Sequence, residues 1–105
     1  MKTHELKIWP SFFEAVANGT KTFECRKNDR DFALGDTLIL KEYDPAKNVV
    51  IDKRKLTGRT LIRTVGFVVH GGGFGVASGY CVMSLLSSPN ETVTADKEEA
   101  SKCAR

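Results

Sequence analysis

The sequence predicts a mainly β, α+β domain: a small barrel of five to six strands with one short N-terminal helix capping one end. Three observations lead there. Several segments alternate polar and apolar residues at period two, as half-buried strands do. Only one segment, near the N-terminus, shows helical spacing. Glycine-containing turns separate nearly all the rest.

The elements follow in order. Glu5 to Ile8 alternates and reads as a strand that Pro10 ends. Ser11 and Glu14 have the spacing of a capping box, in which each side chain satisfies a free helix N–H. Phe12, Phe13 and Val16 follow on one helical face, and Asn18-Gly19 supplies the stop. The helix is about two turns long, so packing of its phenylalanines must hold it. Thr22 to Lys27 returns to period two, with Phe23 and Cys25 on one face and Thr22, Glu24 and Arg26 on the other. Leu34-Gly35-Asp36 is a tight turn into a strand over Thr37–Tyr43. Asp44 to Asn48 is a turn, Val49–Ile51 a short strand, Thr57-Gly58 a turn and Thr60–Val69 a long strand. His70 to Gly75 is a glycine-rich loop, and Tyr80–Leu86 is the last strand.

At 105 residues, 41% hydrophobic and 28% charged, the chain fits one globular domain. Residues 1–86 form it. Residues 87–105 are polar, lack apolar periodicity and carry net −1, so they read as a disordered tail. The remaining body holds thirteen basic and nine acidic residues, net +4, a mild bias toward polyanions. From Lys53 to Asn90 there is no acid, while Lys53, Arg54, Lys55, Arg59 and Arg63 crowd together. Such a segment suits phosphate contact, and equally suits a hairpin whose charges keep an edge strand soluble.

Composition also excludes. Apolar runs of four or five residues fall far short of the roughly 20 that cross a bilayer, and MKTHELKIW has no signal-peptide core, so a cytoplasmic protein is expected. Three cysteines, with no C-x-x-C pair, make neither a disulfide framework nor a zinc site. Cys25 and Cys81 lie in strand patterns, where a free thiol behaves as a small apolar residue. His4 and His70 have no ligand spacing, so no metal or cofactor is expected. HGGGFG matches neither the P-loop nor G-x-G-x-x-G, because a strand follows it; its glycines serve backbone freedom or close approach.

Glu24 and Arg26, two apart on one strand face, form either an exposed ion pair of at most about 1 kcal/mol or a shared ligand contact. Lys21 follows the helix C-terminus, where the dipole itself favours a cation.

Gly19, Lys21, Glu24 and Arg26 spell G-x-K-x-x-E-x-R, the signature of the ASCH domain, a branch of the PUA-like superfamily. Leu34-Gly35-Asp36, Glu42-Tyr43 and Gly79-Tyr80 fit the same pattern. The body, over about residues 3–86, more closely resembles a small bacterial and phage ASCH-like subfamily of unassigned function, marked by HELKIWP, FECRKNDRDF and GGGFG with a later GY. The resemblance implies a PUA-like pseudo-barrel that binds RNA or a modified nucleotide in a cleft; no membrane partner is expected, and the protein is expected to be a monomer. On that basis Lys21 and Arg26 hold phosphate or a base edge, and Glu24 fixes Arg26 or accepts from a base. Lys27, Arg30, Arg59 and Arg63 extend the phosphate track, and Gly72 permits close approach. Phe74 or Tyr80 stacks on a base, although the core is the more ordinary place for either ring.

Some ASCH-like proteins resemble amidohydrolases or ribonucleases. The amidohydrolase type uses a lysine, a threonine three residues on and a later glutamate. Here Lys21 matches, Glu24 stands at the threonine position, Thr22 is at the wrong offset, and residues 53–90 offer no acid. Lys21 with Glu24 and Thr22 would be the machinery of such an enzyme. A phage or bacterial protein-interaction module is the third reading.

Overall fold

The computed structural model describes residues 1–46 and 55–87. Five strands and one helix appear there: β1 (Thr3–Ile8), α1 (Pro10–Ala17), β2 (Phe23–Lys27), β3 (Thr37–Tyr43), β4 (Leu56–His70) and β5 (Tyr80–Ser87). The strand expected at Val49–Ile51 and the tail beyond Ser87 lie outside the described residues.

One sheet runs in the order β1-β3-β4-β5-β2, with β1 and β3 parallel and the other pairs antiparallel. The sheet curls into a half-barrel, and Arg26 of the edge strand β2 reaches Lys7 O of the other edge strand, β1. Alternation decides what faces inward. His4, Leu6 and Ile8 of β1, Leu38, Leu40 and Glu42 of β3, and Cys81, Met83 and Leu85 of β5 are all buried. Leu61 and Val65 of β4 and Phe13, Val16 and Ala17 of α1 complete the core, and Phe32 enters it from the β2–β3 connection.

The helix differs from expectation at its start. Trp9 is the N-cap and offers no side-chain hydrogen bond, while Pro10 begins the helix at a position where its missing N–H is harmless. The Ser11–Glu14 capping box is therefore not formed. Glu14 instead sits 2.7 Å from Arg59 of β4, whose guanidinium lies over the Phe13 ring at 4.6 Å. Phe12 is turned outward. The stop is as expected: Asn18 caps and Gly19 takes φ +86.

Strand β4 is longer than its sequence run. Thr57-Gly58 is an irregularity inside it, with Gly58 at φ +94. A second irregularity falls between Val65 and Val68, where an added Cβ on Gly66 would stand 2.3 Å from Ser84 Oγ. Phe67 is thereby carried to the outside.

The N-terminus is fixed by one carboxylate. Asp36 accepts from Lys2 N (3.0 Å) and Ala33 N (3.1 Å) and meets His4 Nε2 at 2.9 Å, while the His4 ring packs edge-on against Phe32. Burial alone would raise the Asp36 pKa. The bonds from Lys2, His4 and Ala33 more than reverse that, leaving it at about 2 against an ordinary 3.8.

A carboxyl held below its ordinary value stabilises the fold above that value and stops doing so as pH falls. Asp36 therefore contributes about 2 kcal/mol at neutral pH, lost as pH drops from about 4 to 2. Urea unfolding across that range should show the loss in the wild type. Asp36→Asn should be destabilised at neutral pH by about 2–3 kcal/mol and show a flatter acid limb.

Candidate functional site

Strand β2 carries the site, and its faces are the reverse of what an apolar stripe would dictate. Phe23 and Cys25 are exposed, whereas Glu24 is only 6% exposed and Arg26 is half-buried. The expected period-two separation holds. The expectation that Cys25 is a buried apolar group is corrected; of the two described cysteines it is Cys81, opposite Arg26 on β5, that is buried, and that burial pushes its thiol pKa up. The charged face points inward because Glu24 is neutralised twice. Oε1 receives Lys21 Nζ at 2.9 Å and Oε2 receives Arg26 Nε at 2.8 Å. A carboxylate with both oxygens occupied by cations tolerates burial that an isolated one does not.

Each cation is itself positioned. Lys21 follows the α1 stop, and its backbone N–H donates to Ala15 O at 2.9 Å. Its ammonium also donates to Phe23 O at 2.8 Å and lies between two rings, 5.3 Å from Phe12 and 4.9 Å from Phe23. Arg26 reaches across the open seam of the half-barrel and donates to Lys7 O of β1. Arg30 does the same at Glu5 O. Lys2 Nζ donates to the carbonyl of Asp31, 3.2 Å away, on the same side. Carbonyls on the free edge of β1 thus receive arginines where a closed barrel would supply another strand.

Beside this seam lies a cleft of about 290 Å³. Arg26 and Lys27 of β2, Ile8 and Lys7 of β1, Trp9 at the strand–helix junction and Tyr80 of β5 line it. Trp9 is 55% exposed and stacks on Phe12, with centroids 5.9 Å apart and planes 6° from parallel. Tyr80, opposite Lys27 in the β2–β5 register, is 44% exposed. A core position for Tyr80 is thus corrected, and so is one for Phe74, which is 99% exposed in a left-handed conformation at φ +54. Sequence reasoning did not single out Trp9. The residue entered only within the stretches MKTHELKIW and HELKIWP, with no role of its own, as a large aromatic directly before a proline.

The remaining expected residues are dispersed. Arg59 is turned toward Glu14 and Glu42, and Arg63 is buried with its guanidinium on Ile62 O and Val16 O. Thr22 precedes β2 and is exposed. In the glycine loop the tight approach belongs to Gly71, where a Cβ would meet Ala77 O at 1.9 Å, while Gly72 takes φ +98 in open space. Among the described residues no three His, Cys, Asp or Glu side chains gather as a metal site, and no helix is long and apolar enough to cross a membrane.

The chain belongs to the family described as Domain of unknown function (DUF3850), whose model matches residues 3–85. It is also similar to the "Uncharacterized 12.9 kDa protein in GpA 3'region" of Escherichia phage P2, with 48% identity over 42 residues. That stretch takes up 40% of this chain and 38% of the phage protein.

Replacing Glu24 by glutamine keeps its shape and removes the charge that two cations share. Both cations retain some access to water, so Glu24→Gln should lower stability by about 1–3 kcal/mol, less than the loss of a fully buried partner. Denaturant unfolding at neutral pH reads the difference. A stability equal to wild type would mean that the carboxylate does not hold the seam.

Proposed function

We propose that this member of the DUF3850 family binds RNA, or a nucleotide-like ligand, in the cleft beside the β1–β2 seam. The observation that carries this reading is the pairing of exposed aromatic rings with cations. Trp9 and Tyr80 come from separate elements onto one cleft, together with Lys7, Arg26 and Lys27. Exposed rings offer a base its stacking surface, and the cations serve its phosphates. The cleft's volume, about 290 Å³, lies at the low end of the ligand-pocket range of about 300–1,000 Å³ and matches a single nucleoside better than a duplex.

The roles divide accordingly. Trp9, backed by Phe12, and Tyr80 stack. Lys27 neutralises phosphate. Arg26, fixed by Glu24, offers its guanidinium edge to a base or phosphate. Lys21 acts through Glu24 and positions Arg26. The resemblance to ASCH domains and the net +4 of the body support the same ligand class. The protein works as a monomer in the cytoplasm, where the free thiols of Cys25 and Cys81 stay reduced.

Trp9 is the chain's only tryptophan, so its fluorescence reports on the cleft directly. Short single-stranded RNA should quench it at low salt of about 50 mM and release it as salt rises. Tyr80→Ala should weaken binding about 5- to 150-fold, the equivalent of about 1–3 kcal/mol of stacking. Lys27→Ala should reduce the salt slope by about 1. Absence of binding at low salt, or affinity unchanged in both variants, overturns the reading. Turnover of acylated nucleosides that disappears in Lys21→Ala would replace it with a hydrolase.

A further inference from the structure

A second cavity, of about 190 Å³, shares no lining residue with the cleft. Lys21, Thr22, Arg63 and Ser87 supply its polar wall, and Val16 and Leu85 part of the rest. Among the described residues its charged lining is two cations: Glu24 holds Lys21 from outside this wall, and Arg63 donates to Ile62 O and Val16 O.

Three features determine what chemistry fits. First, the lysine has donor capacity left. An ammonium carries three N–H donors, and Phe23 O and Glu24 Oε1 account for two. Second, Arg63 brings a permanent charge into a site where it is only 8% exposed, so its field is weakly screened. Third, the nearby helix end does not repel an anion as strongly as a bare C-terminus would. Val16 O accepts from Gly19 N and Arg63 Nη2, both at 3.2 Å, and Ala15 O accepts from Lys21 N at 2.9 Å. These two C-terminal carbonyls are thus faced by donors, and Thr22 and Ser87 complete the polar wall.

We propose that this cavity binds a small oxyanion, free phosphate or the phosphate group of a nucleotide, through Lys21, Arg63, Thr22 and Ser87. The volume corresponds to about six water molecules. That admits a hydrated tetrahedral anion, and it falls well short of the roughly 300 Å³ at which pockets for larger organic ligands begin. The site stands apart from the cleft reading, since phosphate can occupy it with no base bound.

The test uses inorganic phosphate on the full chain, titrated at constant ionic strength against chloride, with Tm and calorimetry as readouts. Wild type should show a saturable rise in Tm with phosphate. Thr22→Val and Ser87→Ala each remove one hydroxyl from the wall and should weaken phosphate about fivefold, one hydrogen bond's worth. Thr22→Glu, at an exposed position, should weaken it more than tenfold by placing a carboxylate against the anion. Equal Tm in phosphate and chloride, or phosphate affinity unchanged by all three substitutions, overturns the proposal. Trp9 fluorescence then distinguishes the source. A nucleoside 5′-monophosphate that binds more tightly than its nucleoside, with the advantage erased by Thr22→Glu, identifies the nucleotide's own phosphate. No such advantage, with phosphate still stabilising, identifies the free ion. Failure of RNA to quench Trp9 would strike the cleft reading alone.

Discussion

Glu24 occupies an inward position on an edge strand, where the alternation of β1, β3 and β5 places mostly apolar side chains, His4 and Glu42 apart. Its carboxylate is kept there by two cations that arrive from opposite directions. Lys21 comes from the end of α1, and Arg26 comes from the same strand two residues on. Through Lys21 the carboxylate sets where the helix hands over to β2. Through Arg26 it sets how the guanidinium meets Lys7 O across the seam. Burying a charge in this way stabilises little by itself, because desolvation offsets most of the attraction. What it gives is geometry: an unsatisfied alternative is so unfavourable that the three side chains have essentially one arrangement.

That arrangement leaves the half-barrel open in a controlled way. An edge strand with bare carbonyls invites pairing with another chain. Here Arg26 and Arg30 occupy Lys7 O and Glu5 O, so the edge is blocked while the seam stays wide enough for a cleft beside it. The same constraint explains why two cavities lie near one motif. The cleft includes Glu24 and Arg26, and the smaller cavity takes Lys21 and Thr22. One ion-pair network thus stands between an aromatic-lined opening and a cation-lined pocket. At the N-terminus Asp36 plays the corresponding structural part, tying Lys2 and His4 to the turn before β3.

The basic segment found in sequence divides differently in three dimensions. Arg59 and Arg63 face inward, toward Glu14 and Glu42 and toward the carbonyls of Ile62 and Val16 respectively. They stabilise the helix against β4 through a cation over Phe13 and a donor at the helix end. A continuous surface track of phosphate contacts is therefore not what these two residues form. Arg26 and Lys27 of β2, with Lys7 of β1, are the cations that reach the cleft.

Local periodicity and turn chemistry sufficed to locate β1, α1, β2, β3, β4 and β5 to within a few residues, because alternation and glycine at positive φ are properties of neighbouring residues. The G-x-K-x-x-E-x-R pattern likewise marked the strand that carries the site. Period two says that Glu24 and Arg26 share a face; it does not say which face is inside. That sign depends on whether the carboxylate finds partners, and one of the arginine's partners, Lys7 O, lies nineteen residues away. Trp9, exposed and lining the cleft, and Gly71, pressed against Ala77 O, were illegible for the same reason. Tertiary structure decided what stands opposite each residue, and for a charged side chain the opposite neighbour determines whether it is surface, core or site.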